Sequence, residues 1–179
     1  MSKKEEIILE ACRALQEGGV NGFSFRDLAD TVGVKSSSVH YYFKNKNDLF
    51  IAVLEAFTEE FTQNLQSILD ESSSLQDVID GIIDQFIEIA QEQKFCVCGM
   101  LAIDQKHLSE EMISRVNETF CALRKWLSEV IAQYPQEKFS NEELSSIFIS
   151  ALEGALMMDR LSKTTESLES LRSFMHRLV

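Results

Sequence analysis

Residues 36–42 read Ser-Ser-Ser-Val-His-Tyr-Tyr. Apart from Val39, every side chain in this run can donate or accept a hydrogen bond, and none is a carboxylate. Short hydroxyls can approach base edges and phosphates closely. Lys35, Lys44 and Lys46 flank them and supply charge for phosphate neutralisation. This chemistry suits gripping duplex nucleic acid rather than breaking bonds. No Gly-rich phosphate loop, nucleophile elbow or His-x-x-x-His pair is present, and His40, His107 and His176 are scattered. The sequence therefore predicts neither an enzyme nor a cofactor.

The net charge of −12 argues at first against a nucleic-acid partner. Its distribution removes the objection. Residues 1–50 hold seven Lys/Arg and seven Asp/Glu, so all of the excess negative charge follows residue 50. A local basic strip on an acidic chain can still meet DNA, because salt screens charges more than a Debye length away, about 8 Å. No apolar run approaches the roughly 20 residues needed to span a bilayer. The polar start, Met1-Ser2-Lys3-Lys4, does not resemble a signal peptide, so no membrane partner and a cytoplasmic location are expected.

The elements that must carry residues 36–42 follow from glycine placement and apolar spacing. Four of the seven glycines, Gly18, Gly19, Gly22 and Gly33, precede residue 34. A helix over 4–17 places Ile7, Ile8, Ala11, Cys12 and Leu15 on one stripe and ends at Gly18-Gly19. Ser24, with Asp27 three residues on, caps a short helix over 25–32. Gly33 turns the chain into a second short helix over 36–42. Ala29 is small enough for two backbones to approach, and Leu28, Val32, Val34 and Val39 pack between them. This is the pattern of a helix-turn-helix.

Asn45 or Asn47 caps a long helix over 47–70, and further helices follow over 75–93, 109–133, 141–162 and 166–178. The cap residues expected for the last two are Ser140 or Asn141 and Thr165. Residues 95–107 read as a short helix with turns, and Pro135 ends the helix before it. The fold class is all-α: a three-helix DNA-binding head over 1–46, and a helical regulatory and dimerisation body over 47–179.

Gly22-Phe23-Ser24, Leu28-Ala29, Gly33-Val34-Lys35 and the run from Val39 through Tyr42-Phe43-Lys44 to Leu49 resemble the DNA-binding domain of the TetR/AcrR family of bacterial transcriptional regulators. The resemblance implies a repressor of transcription that binds double-stranded operator DNA. It assigns DNA contact to Arg26, Ser36, Ser37, Ser38, Tyr41, Tyr42 and Lys46, with Lys46 on a phosphate; Lys35 and His40 are expected to join them through their own charge and hydrogen-bonding groups. His40 stands where the family often has tyrosine. The family also pairs its last two helices in a homodimer. Here these offer Ala151, Gly154, Ala155, Met158, Leu171, Phe174, Met175 and Leu178.

A repressor needs two states, and a ligand shifts them only through differential affinity. An unidentified small apolar effector is expected at Phe61, Phe86, Cys98, Leu101, Phe120, Trp126, Phe148 and Leu152, with Asp104 or Glu153 available to a cationic one. Cys96, Cys98 and Cys121 read as small apolar residues; too few ligands accompany them for a metal site, and none is expected. Two alternatives stay open. One is a redox-sensing repressor acting through Cys96 and Cys98. The other is a helical module whose helix-turn-helix binds a protein.

Overall fold

The computed structural model describes residues 1–134 and 139–179, so the expected stop at Pro135 lies outside the described residues. In chain order the helices are α1 (Lys3–Gly18), α2 (Phe25–Val32), α3 (Ser36–Tyr42), α4 (Lys46–Glu71), α5 (Leu75–Gln91), α6 (Val97–Ile103), α7 (Glu110–Ile131), α8 (Asn141–Ser162) and α9 (Glu166–Met175). A 3-10 turn, Gln105–His107, follows α6. Among the described residues there is no strand, and no helix is long and apolar enough to cross a membrane. The all-α class is as the sequence predicts.

The helices sort into two compact units. The first joins Met1–Phe61 to Cys96–Thr119, and the second joins Thr62–Phe95 to Phe120–Val179. In the first, Ile7, Ala11 and Leu15 of α1 are fully buried, with Leu28, Val39, Leu49, Phe50, Leu101 and Met112 beside them in the apolar interior. Phe23 meets Phe50 edge to face, with ring centroids 6.1 Å apart. Burying such side chains stabilises by about 1.5–3 kcal/mol each before the entropy of ordering is subtracted.

Local caps set most boundaries. Ser2 with Glu5, Ser24 with Asp27 and Ser140 with Glu143 each form a reciprocal capping box that opens α1, α2 and α8. The Asn45 carboxamide accepts from the Asp48 amide at the start of α4. Gly33 ends α2 in the left-handed region, at φ 71° and ψ 40°, and the Val34 amide reaches back to the Ala29 carbonyl. A residue with a Cβ would be strained there.

The second unit is built on Ile79 and Ile83 of α5, Leu127 and Ile131 of α7, Phe148 and Leu156 of α8 and Leu168 of α9, all buried. Gly81 lets the end of α4 approach α5, since a Cβ there would lie 2.7 Å from the Ile68 Cγ2. The cap of α9 differs from expectation. Thr165 stands at the cap position but makes no side-chain cap bond. The buried Asp159 carboxylate, from α8, instead accepts from the Ser167 and Leu168 amides, both at 2.9 Å. A carboxylate satisfies two helix-end donors where one hydroxyl reaches a single donor. On the surface of this unit Arg172 bridges Asp80 and Asp84, and His176 bonds the Asp80 carboxylate. These pairs tie α9 to α5.

Candidate nucleic-acid interface

The turn at Gly33 delivers the chain to Lys35, whose extended backbone sits at the cap of α3. Val39 is fully buried and fixes which face of α3 points inward. Ser36, Ser37, His40, Tyr41 and Tyr42 are consequently exposed, and Ser38 is half-buried. Tyr41 is 83% exposed, more than almost any other large apolar-bodied side chain of this unit. Its ring meets that of Tyr42 edge-on at 5.2 Å. The His40 ring lies against Phe25, 4.9 Å between centroids, so α2 holds the imidazole in place.

The flanking cations differ from one another. The Arg26 side chain on α2 is 85% exposed, with only a long 3.9 Å approach to Asp30. Lys35 and Lys44 are also exposed. Lys46 is engaged. Its ammonium donates to the Val20 carbonyl at 2.8 Å and to the Phe23 carbonyl, and it sits 4.7 Å from the centre of the Phe23 ring. Burial pushes its pKa below the ordinary lysine value, against a smaller opposing pull from Asp27. The face thus combines hydroxyls, a fixed imidazole, two phenols and three exposed cations, with no carboxylate on α3 itself.

Sequence reasoning did not find two residues that hold this head. Asp104, considered above for a cationic ligand, accepts from the Val20 amide at 3.2 Å. Asn47, considered as a helix cap, accepts from the Ser109 amide at 2.9 Å. Single polar residues bonded to distant backbone leave no periodic signal in a sequence.

The other expected site residues are distributed as follows. Of the eight assigned to an effector, Phe61, Cys98 and Leu101 lie in the first unit, and Phe86, Phe120, Trp126, Phe148 and Leu152 in the second. Cys98, Leu101, Phe86, Phe148 and Leu152 are buried; Phe61, Phe120 and Trp126 are half-buried. Phe61 stacks on Phe57, centroids 5.7 Å apart. Cys96 is also buried, whereas Cys121 is exposed and accepts from Arg124. Of those assigned to a dimer, Ala155 and Met175 are buried within the second unit itself. Gly154, Met158 and Phe174 are exposed, and Ala151, Leu171 and Leu178 are half-buried. Ile147, Met157 and Leu161 of α8 are exposed too, Leu161 at 87%, and were not among the residues expected there.

A helix-turn-helix on the first unit, with a helical second unit, defines a class of DNA-binding regulator. Known proteins agree with that class. Residues 7–53 match the model of bacterial regulatory proteins of the tetR family, and residues 72–173 match the C-terminal domain of LmrA/YxaF-like transcriptional regulators. A TetR transcriptional regulator from Legionella pneumophila has a similar structure, with a TM-score of 0.93, 30% identity, and coverage of 100% of this chain and 98% of that one. The chain belongs to the tetR family of bacterial transcriptional regulators.

Two relatives are more distant. The HTH-type transcriptional repressor KstR2 of Mycolicibacterium smegmatis is 28% identical over 61% of this chain, and the match spans only 53% of that protein. The biofilm operon icaADBC HTH-type negative transcriptional regulator IcaR of Staphylococcus aureus is 20% identical over 95% of this chain and 91% of its own length.

Proposed function

We propose that the chain is a homodimeric repressor that grips operator DNA through α3 and releases it on binding a small, largely apolar effector. The observation that carries the DNA-binding part is the outward face of α3, with Ser36, Ser37, His40, Tyr41 and Tyr42 exposed around the buried Val39 and no carboxylate among them. The names of two relatives, a repressor and a negative regulator, favour repression. Residues 1–46 are the DNA-binding domain in this reading, with Arg26, Lys35, the three serines, His40, Tyr41 and Tyr42 on DNA. Lys46 acts through the turn it holds, because its ammonium is already bonded to carbonyls.

Residues 47–179 take the effector and the second copy. The exposed apolar side chains of α8, together with Phe174, support self-association. The aromatic residues Phe120 and Trp126 of the second unit, only half-buried, support an apolar effector.

The test begins with selection of bound duplexes from a random pool. A recovered two-half-site sequence, bound by the unaltered chain and about tenfold more weakly by Tyr41→Ala, supports the reading. Equal binding by both proteins, or binding to no duplex, refutes it. A panel of apolar compounds then tests the effector, which must both raise the melting temperature and displace the selected duplex.

A further inference from the structure

The residues that join α1 to α2, 19–23, are bonded from two directions within the first unit. Gly19 adopts φ 76°, and a Cβ on it would lie 3.1 Å from the Asp104 Oδ2 and 3.3 Å from the Met100 Sδ. The end of α6 is therefore seated closely on the turn, and a side chain at Gly19 would press on these two atoms. In that seat the Asp104 carboxylate accepts from the Val20 amide, a bond between residues 84 positions apart. The carbonyl of the same residue, Val20, accepts from Lys46 at the start of α4, and Lys46 also bonds the Phe23 carbonyl. Phe23 directly precedes Ser24, the cap that opens α2.

The next residue of α4 makes a second tie. Asn47 accepts from the amide of Ser109, the residue that precedes α7 and whose hydroxyl accepts from the Met112 amide in its first turn. Segment 104–109 is thus bonded at one end to the turn before the helix-turn-helix and at the other to the first turn of α4. Both acceptors are side chains, and both donors are backbone amides. Such ties fix pose: each holds only at one distance and direction. The two flank the pair α2–α3, which packs on α1 and is joined to the rest of the chain by the turn at 19–23 and the step from Phe43 to Lys46.

We propose that Asp104 and Asn47 are positioning residues for DNA binding, a two-point latch through which segment 104–109 sets the pose of α3. It rests on the DNA-binding reading above. Neither residue touches DNA, so neither contributes a phosphate contact.

The experiment uses the full chain and the selected duplex. A matching series changes the spacing between half-sites by one and two base pairs either way. Asp104→Ala should bind the best spacing about five- to tenfold more weakly, the effect of losing one part-buried hydrogen bond. Binding to the other spacings should change less than about twofold, because a released head tolerates more spacings. The salt dependence should keep its slope, since no counterion-releasing contact is lost. Asp104→Asn, which keeps an acceptor oxygen, should restore the spacing preference. Asn47→Ala should flatten it as Asp104→Ala does, and Asn47→Asp should not. Hydrogen exchange should quicken at the Val20 amide in Asp104→Ala and at the Ser109 amide in Asn47→Ala.

An equal loss on every spacing, or no loss on any, overturns the latch. So does a fall of Asp104→Asn together with Asp104→Ala, which would make the charge and not the bond the agent. If Asp104→Ala does not fold, the Asn47 pair and Asp104→Asn decide. Failure of the unaltered chain to bind any duplex sinks the DNA-binding reading itself. Normal binding with unmoved variants sinks only the latch.

Discussion

Two helices leave one face uncovered, and the two faces have opposite chemistry. On α3 the uncovered groups are hydroxyls, an imidazole and phenols, with Lys35 and Lys44 at the ends. On α8 they are Ile147, Ala151, Gly154, Met158 and Leu161, at spacings of four, three, four and three along the helix. Ile147, Met158 and Leu161 are all more than half exposed. The spacing is that of a seam that packs against another helix. Polar groups on α3 are satisfied by water until a phosphate or base edge replaces it. Apolar groups on α8 gain about 25 cal/mol for each Å² removed from water, so their natural partner is another apolar face. The difference separates two binding events that a single repressor has to make.

The largest effect should come from the apolar face. Met158→Arg places a charge at the middle of the seam, away from the unit's own core. Its self-association constant should weaken by at least about a hundredfold, since an unpaired charge in an interface costs several kcal/mol. Sedimentation velocity should show a folded monomer, its melting temperature lowered only by the stabilisation that association had given. Ala155→Arg would be a poorer probe, because Ala155 is buried within the unit. A dimer that survives Met158→Arg would remove the contrast between the two faces.

Next in size is Lys46→Ala. The substitution leaves the Val20 and Phe23 carbonyls without their donor, so the melting transition should fall by the equivalent of about 1–2 kcal/mol. DNA affinity should fall with it. The slope of log affinity against log salt should stay unchanged, because the ammonium is held on the carbonyls; a fall of about one unit would place it on a phosphate instead. The slope thus sharpens what belongs to the α3 face. Tyr41→Ala is its counterpart: stability within about 0.5 kcal/mol of the parent, because the ring is 83% exposed, but weaker binding to the selected duplex.

What could be read from the sequence was what is local. Ser24 with Asp27, and Gly33 with Ala29, lie within one or two helical turns, and their residue types state their geometry. The exposure of α3 followed from Val39 alone. The apolar face of α8 was only half legible. That helix is apolar on both sides, so periodicity could not separate Ala155, which faces inward, from Met158, which faces out. Ile147 and Leu161 were missed for the same reason. Long-range polar ties were not legible at all. Asp159 reads as one more acid on α8 until α9 is seen to begin on it, and Asp104 and Asn47 meet amides 84 and 62 residues away.

The smallest expected effect compares the two regions at their openings. The same device starts the helix that precedes α3 and the helix that carries the apolar seam: Ser24 with Asp27 at α2, and Ser140 with Glu143 at α8. Hydrogen bonds from the Ser24 side chain and then its amide hold the Asp27 carboxyl below its ordinary pKa. Ser140 does the same, in the same order, for Glu143. The unfolded chain therefore takes up protons at these groups before the folded one does. Stability from both boxes is present at neutral pH and is lost as pH falls through the folded values, which lie below the ordinary carboxylate ones. Asp27→Asn should remove part of that acid slope, and Glu143→Gln another part, each lowering the melting temperature at pH 7 by roughly a few degrees at most. The two variants should then diverge. Asp27→Asn loosens the start of α2 and should weaken DNA binding while leaving the dimer intact; Glu143→Gln sits a turn before Ile147 and should affect the dimer, if anything, before DNA. Thermal melts between pH 3 and 7, with anisotropy and sedimentation on both variants, check this. If both variants changed DNA binding and self-association in the same proportion, the two faces would be acting as one, and their separation would have to be given up.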